Sequence, residues 1–298
     1  MADPQTARGL MDDVAVLDDL VISHDTIVEG VHYRPEDPPE TVGWKLAAVN
    51  CSDIAAKGAT PELAILSLTI RGDGAWERRF LDGLDEALHE FYLPLGGGDT
   101  TALPAGAPRV LGMTVIGRAN GRIPSRTDGQ AGETLWAIGT FGDAAAGLDL
   151  LQADPAATGH LVECYQTPWP HTTPGKRIVP HVGAMMDVSD GLLLDAARLA
   201  AASGLMAEID LRAIPLSNAF IEIRGEDRSA RLFAATGGDD YALLFSSSVP
   251  EETLRLSLPI GPKLTAIGRL VPGEGLALVD GNEPVPVPEH LGYEHRGT

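Results

Sequence analysis

Residues 37–70 read DPPETVGWKLAAVNCSDIAAKGATPELAILSLTI, one long element passing into another, and this stretch sets the fold class. Asp37-Pro38-Pro39-Glu40 has the composition of a helix start, with an Asp cap, prolines in the first turn and an early acidic residue. The helix is predicted to run to Lys57 and to stop at Gly58, a common residue just past a helix end. ELAILSLTI (62–70) then reads as an apolar strand. Upstream, DLVISHD (19–25) is a short strand ending in polar residues. Downstream, Trp76, Phe80, Leu81, Leu84, Leu88 and Phe91 mark one helical face. A Gly-rich loop is expected at 96–101 and a strand at 109–118. Gly121 to Gly132, with Pro124, is the natural boundary. Beyond it lie a strand (134–139), a helix from Gly142 and an irregular stretch (155–180) carrying five prolines. A strand into Asp187, a helix (190–202) and strands at 205–211, 241–247 and 264–271 follow. Strands and helices mix on both sides of the boundary, which predicts an α/β (α+β) chain of two domains, 1–121 and 122–298.

Composition narrows the function. The 298 residues are 44% hydrophobic and 21% charged, as in a globular protein. Two cysteines, Cys51 and Cys164, have no metal-ligand spacing between them, so a disulfide framework is not expected and a reducing cytoplasm is. The first residues show no basic start followed by an apolar stretch, and no run approaches the roughly 20 apolar residues of a membrane span. With 42 acidic against 22 basic residues the net charge is −20, and no Lys/Arg cluster offers a nucleic acid its phosphate contacts.

The placement of aspartate is the informative feature. Asp12-Asp13, Asp25, Asp53, Asp99, Asp187 with Asp190, and Asp239-Asp240 fall at strand ends, in Gly-rich turns or at helix starts. Any one of them reads equally well as a turn or cap residue. As a set they sit beside glycines and hydroxyls in Gly96-Gly97-Gly98-Asp99-Thr100-Thr101, Asp187-Val188-Ser189-Asp190-Gly191 and Thr236-Gly237-Gly238-Asp239-Asp240. Hydroxyl and carboxylate oxygens are the hard ligands Mg²⁺ prefers. Two carboxylates about 4 Å apart repel by roughly 4 kcal/mol at an effective dielectric near 20, so convergence implies bound cations. HExxH, GxSxG, GxGxxG and Walker A motifs are all absent, as are the HRD and DFG elements of protein kinases. Phosphate chemistry here must rest on aspartate-held metals.

These residues resemble the thiamine-monophosphate kinases. Asp12-Asp13-Val14-Ala15-Val16, Ser23-His24-Asp25-Thr26 with Val28-Glu29-Gly30-Val31-His32-Tyr33, and Ala48 to Ala59 follow one another in that family's order. Gly97-Gly98-Asp99-Thr100-Thr101, Asp187-Val188-Ser189-Asp190-Gly191 and Gly237-Gly238-Asp239-Asp240-Tyr241 continue it. Each motif is short and common alone; the joint order is specific and spans nearly the whole chain. The wider superfamily includes aminoimidazole-ribonucleotide synthetase and selenophosphate synthetase. The resemblance implies a homodimer formed through the N-terminal sheet, several Mg²⁺ ions, and ATP between the domains. It implies a metal shell of Asp13, Ser23, His24, Asp25, Asp53, Asp99, Asp187 and Asp190. Gly98, Asp99, Arg126 and Ser189, with Asp13, match ATP-holding positions; His32, Asp239 and Tyr293 match positions facing thiamine monophosphate. Direct phosphoryl transfer would then rest on Asp25, Asp53, Asp99 and Arg126.

The sequence departs from the family in four places. The leading segment before Asp12-Asp13 is short, and His24 stands where Thr or Ser is commoner. Asp239 and Ala242 replace two Glu residues of the Gly-Gly-Glu-Asp-Tyr-Glu motif, and 168–180 lacks a Pro-x-Pro-Arg form. Two other readings stay open at this stage: a superfamily member with another small-molecule acceptor, and a non-catalytic nucleotide-binding paralogue.

Overall fold

Helix α1 (Pro39–Ala56) is hydrophobic on all sides and lies where the two halves of the chain meet. Every residue from Lys45 to Lys57 is buried in the computed structural model, which describes residues 3, 5–72 and 74–294. The residue before the helix is Pro38, and no side chain caps it. Asp37, expected as the cap, instead accepts hydrogen bonds from the Arg34 backbone N–H at 2.7 Å, Tyr165 Oη at 3.2 Å and Gln166 Nε2 at 3.2 Å. It ties the helix start to the second half of the chain.

Around α1 the first half builds a five-stranded sheet from β1 (Ala15–Leu17), β2 (Leu20–Val28), β3 (Thr60–Ile70), β4 (Leu95–Ala102) and β5 (Val110–Arg118), in the order β1-β2-β5-β3-β4. Helix α2 (Gly74–Glu90) packs on α1 so closely that a Cβ on Gly43 would lie 2.2 Å from Phe80 O, and one on Gly83 2.0 Å from Glu40 O. Phe80, Leu84 and Leu88 face this core, whereas Leu81, assigned to the same face, is 41% exposed. Val21, Leu66, Met113 and Val115 complete one buried face of the sheet. The opposite face carries the exposed Ile65 and Val110. The stretch 96–101, read as a loop, is most of strand β4, which pairs in parallel with β3 (Ser67 opposite Asp99) and is exposed along its whole length.

The second half forms a seven-stranded sheet, β12-β11-β8-β10-β6-β9-β7. Its strands are β6 (Thr134–Ile138), β7 (Met185–Val188), β8 (Met206–Asp210), β9 (Ala242–Ser247), β10 (Leu264–Val271), β11 (Gly275–Asp280) and β12 (Glu283–Val285). Successive residues of a strand point to opposite faces. On β9, Ala242 and Leu244 enter one core while Leu243 and Phe245 enter another, so this sheet is covered on both sides. Helices α3 (Asp143–Ala153), α6 (Leu192–Ala202), α7 (Asn218–Arg224) and α8 (Arg228–Thr236) bury residues against the first core. The proline-rich stretch is not irregular throughout: it holds α4 (His160–Gln166) and α5 (Thr172–Ile178). Trp44 Nε1 donates to Pro168 O at 2.9 Å and its ring lies tilted 5.7 Å from that of Trp169, which fastens this stretch to α1. Helix α9 (Glu251–Ser257) precedes β10. Among the described residues no helix is long and apolar enough to cross a membrane.

Candidate active site

The strand period decides which β2 residues reach the interior. Ser23 and Asp25 share one face, toward α1, while His24 points the other way. His24 is exposed, with Nδ1 2.8 Å from Thr114 Oγ1 on β5. Ser23 is 1% exposed, and its Oγ donates to Asp53 Oδ2 at 2.5 Å. The Asp25 backbone N–H donates to Asn50 Oδ1 at 3.0 Å, locking β2 onto the same turn of α1. One residue before Asp53, Ser52 donates its hydroxyl to Asp187 Oδ2 at 2.6 Å. Neighbouring residues of α1 thus reach both halves of the chain: Asp53 accepts from Ser23 of β2, and Ser52 holds the carboxylate of Asp187.

The result is a cluster. Asp13, Asp53 and Asp187 place carboxylate oxygens within 4.8 Å of one another. Burial pushes Asp25 up to about 6, helped by the charge of Asp190. Burial likewise pushes Asp187 up to about 6, with Asp195 and Asp25 adding to it. Asp53 is raised well above the usual carboxylate range, by burial first and then by Asp187 and Asp25. Such carboxyls hold their protons to higher pH than ordinary ones, and a cation bound among them favours the ionised form.

Two cationic side chains already sit against the cluster. Lys57 is fully buried; its Nζ lies 2.5 Å from Asp12 Oδ1 and 3.2 Å from Asp13 Oδ2, and donates to Met185 O at 3.1 Å. Burial works against the charge on Asp12, but Lys57 and Arg8 outweigh it and hold that carboxyl below its ordinary range. Arg126 pairs with both oxygens of Asp13, with Nε 3.2 Å from Oδ2. Asp190 pairs with Arg198 at 2.5 Å.

A cavity of about 420 Å³ opens beside the cluster, lined by Asp13, Asp25, Asp53, Asp187, Ser189 and Asp190 at one end. His32, Asp239, Tyr241 and Tyr293 line it further along, together with Lys45 of α1 and Tyr165 of α4. The segment 237–241 lies directly on the 187–191 segment. The Asp239 N–H donates to Ser189 O at 2.7 Å and the Tyr241 N–H to Val188 O at 2.8 Å. A Cβ on Gly238 would be 2.7 Å from Ser189 O, so this approach requires glycine. Asp239 (φ 67°) and Tyr241 (φ 50°) are left-handed, a conformation costly for tyrosine. Asp239 Oδ2 holds Lys45 Nζ at 2.7 Å, and its Oδ1 accepts from Tyr241 Oη at 2.9 Å. His32 Nδ1 accepts from the Val28 N–H at 3.0 Å, which leaves Nε2 as its protonated nitrogen. The Tyr293 N–H donates to Asp190 O at 2.8 Å.

Of the residues singled out from the sequence, Asp13, Asp25, Asp53, Asp187, Asp190, Ser189, His32, Asp239 and Tyr293 meet at this cavity. Ser23 and Arg126 stand behind it as partners of Asp53 and Asp13. Gly98 and Asp99 lie on exposed β4 and do not line the cavity in the single chain, nor does His24. Sequence reasoning passed over Lys45, Lys57 and Tyr165. The available signal was Lys45 within, and Lys57 at the end of, a largely apolar helix, lysines that must be paired if that helix is buried.

The donor set, all oxygen and mutually repelling, suits a hard divalent cation beside an anionic ligand. The chain matches the family model described as AIR synthase related protein, N-terminal domain, over residues 11–119, and its C-terminal domain over residues 130–281. It is 35% identical over 307 residues to thiamine-monophosphate kinase of Escherichia coli (strain K12), covering 97% of this chain and 92% of that protein. The crystal structure of thiamine-monophosphate kinase from Stenotrophomonas maltophilia K279a superposes with a TM-score of 0.81 at 35% identity, covering 90% of this chain and 89% of that one. A solved complex of AaThiL with AMPPCP and TMP gives a TM-score of 0.84 at 30% identity, covering 97% and 94%. By fold and site the chain is a member of the AIR synthase related proteins. Within them it belongs to the thiamine-monophosphate kinase family.

Proposed function

We propose that the chain transfers the γ-phosphoryl group of ATP to the phosphate of thiamine monophosphate, giving thiamine diphosphate and ADP. The observation that carries this reading is the convergence of Asp13, Asp25, Asp53, Asp187 and Asp190 on one end of a cavity whose other end holds His32, Asp239 and Tyr293. An oxygen of the acceptor phosphate forms the new bond to Pγ, and the bond from Pγ to the β,γ-bridging oxygen breaks, its electron pair leaving with ADP. The acceptor oxygen is already ionised at neutral pH, so no strong base is required. Asp13, Asp53 and Asp187, with Asp25 and Asp190, are the residues that would hold Mg²⁺; the ion supplies neutralisation of charge on the two phosphate groups.

The chain's own part is orientation and compensation. Ser23 and Ser52 fix the rotamers of Asp53 and Asp187. Arg126 presents a planar fork that can exchange Asp13 for phosphate oxygens. Lys57 keeps Asp12 charged and holds Asp12 and Asp13 in place. Asp239 and Tyr241 anchor Lys45 at the acceptor end, beside the Tyr165 ring 4.1 Å from its Nζ. Gly98 and Asp99 remain candidates for the nucleotide and metal through a second copy of the chain. Exposed β4 and the exposed sheet face carrying Ile65 and Val110 support a homodimer through this sheet. We assign 1–121 to dimerisation and metal binding, 122–298 to completing the site, and the whole to the cytoplasm.

Measuring ADP release with a panel of acceptors tests the reading. Release that requires thiamine monophosphate is expected. Release that ignores it and follows another superfamily acceptor, or binding of ATP with no turnover, would refute it.

A further inference from the structure

Outside the aspartate cluster, a second group of ligand-type side chains joins α3 to α4. Asp143, the first residue of α3, is 3% exposed. His160 and Cys164 are four residues apart on α4 and so share one face. Cys164 Sγ lies 3.5 Å from His160 Nε2, which lies 3.9 Å from Asp143 Oδ2. One ligand atom from each residue falls within 4.8 Å of the other two. Around a tetrahedral zinc ion with bonds of about 2.0–2.3 Å, neighbouring ligand atoms are separated by roughly 3.4–3.7 Å. The triangle already approximates one face of that tetrahedron.

Its surroundings match as well. Thr140 Oγ1 donates to Asp143 Oδ2 at 2.7 Å and Ser217 Oγ donates to Oδ1 at 2.6 Å, the kind of support that orients a ligating carboxylate. Burial, and then the charges of Asp143, Asp240 and Glu163, push the Cys164 thiol up to about 12, so it is a bound cation that would draw out the thiolate. Among the described residues neither Asp143 nor Asp240 has a Lys or Arg within ion-pair distance, and Asp240 Oδ1 is buried without a hydrogen-bond partner. Burial holds the Asp240 carboxyl well above the usual carboxylate range, so the charge here is that of Asp143, which faces His160 but no Lys or Arg, whereas Asp12, Asp13 and Asp239 each have one.

We propose that Asp143, His160 and Cys164 bind a zinc-class divalent transition metal, with the remaining coordination position open to solvent beside the 58% exposed His160. A sulfur, nitrogen and oxygen donor set selects such an ion over Mg²⁺, which the all-oxygen cluster favours. Ala144 and Tyr165, each next in sequence to a ligand, line the substrate cavity, so metal held here braces one cavity wall.

The test is titration of the intact protein with Co²⁺ under saturating Mg²⁺, followed by absorption spectroscopy. The expected result is one equivalent bound with a near-ultraviolet thiolate-to-cobalt charge-transfer band and tetrahedral visible bands, both removed by added Zn²⁺. Cys164→Ser is expected to abolish the charge-transfer band, and His160→Ala to weaken Co²⁺ binding at least about tenfold. Circular dichroism and Mg²⁺-ATP binding of both variants are expected to match the parent, showing that the fold and the aspartate cluster are intact. Absence of the band in the parent, or its persistence in Cys164→Ser, would overturn the assignment.

Discussion

Replacing Asp53 with Asn separates the two things the aspartate cluster does to the protein. The carboxylate oxygens of Asp13, Asp53 and Asp187 lie within 4.8 Å of one another. Unit charges at that distance repel by about 3.5 kcal/mol at an effective dielectric near 20. Buried Lys57, 3.2 Å from Asp13, and Arg126 offset part of this. Asn keeps the volume and still accepts the hydrogen bond from Ser23. Metal-free Asp53→Asn is therefore expected to be more stable than the parent by about 1–2 kcal/mol near pH 8, a few degrees in Tm. The sign follows from the direction of the shifts. Asp25 and Asp187 titrate at about 6 in the folded chain, above their unfolded value, so the folded state binds more protons. Parent stability without metal is then greatest below the unfolded pKa and falls as pH rises toward about 6. Near pH 5 the cluster is largely protonated, and the gain from Asn should shrink toward zero. Thermal melts in EDTA at the two pH values read this directly, and repeating them with Mg²⁺ and ATP should reverse the order, because the parent alone gains from the ligand. A variant less stable than the parent by the same amount at both pH values would refute the reasoning and leave Asp53 as a hydrogen-bonding residue only.

Lys57→Met should destabilise the chain by about 3 kcal/mol in urea unfolding, because it strands Asp12 in a buried site with Arg8 as its remaining partner. An unchanged midpoint would mean the pair contributes nothing. Arg126→Lys keeps the charge but loses the fork, so kcat/KM for ATP is expected to drop at least about tenfold with little change in Tm; equal kinetics would place Arg126 outside the phosphate path. Asp239→Asn frees Lys45 and weakens the acceptor end, raising KM for thiamine monophosphate severalfold more than KM for ATP. An equal effect on both substrates would make Asp239 a turn residue.

Much of this architecture was legible because the elements obey local rules. The uninterrupted run from Pro39 and the apolar strand after Gly58 are set by composition alone, although the cap expected of Asp37 is not made. Strand β4 was not, since Gly96-Gly97-Gly98 has no side-chain pattern and becomes a strand only by pairing with β3. Helices α7 and α8 are short and separated by Gly225, so their period barely registers before it is broken. The hairpin β11–β12 went unread although Gly281-Asn282 is a turn signal between them. At the site, the identity of the aspartates was readable and their convergence was not. Asp25, Asp53 and Asp187 meet through contacts spanning 135 residues of chain, as between Ser52 and Asp187. Lys45 and Lys57 gave only the signal of lysine in a largely apolar helix, because a lysine announces its role only once its burial is known.

The central claim is direct transfer from ATP to thiamine monophosphate at the aspartate cluster. Incubating the protein with γ-labelled ATP, Mg²⁺ and thiamine monophosphate, then resolving nucleotides, thiamine phosphates and protein, tests it most directly. Label is expected in thiamine diphosphate, one for one with ADP, and none on the protein at any time. Label retained on the protein after ATP alone, or released only as inorganic phosphate, would contradict the account.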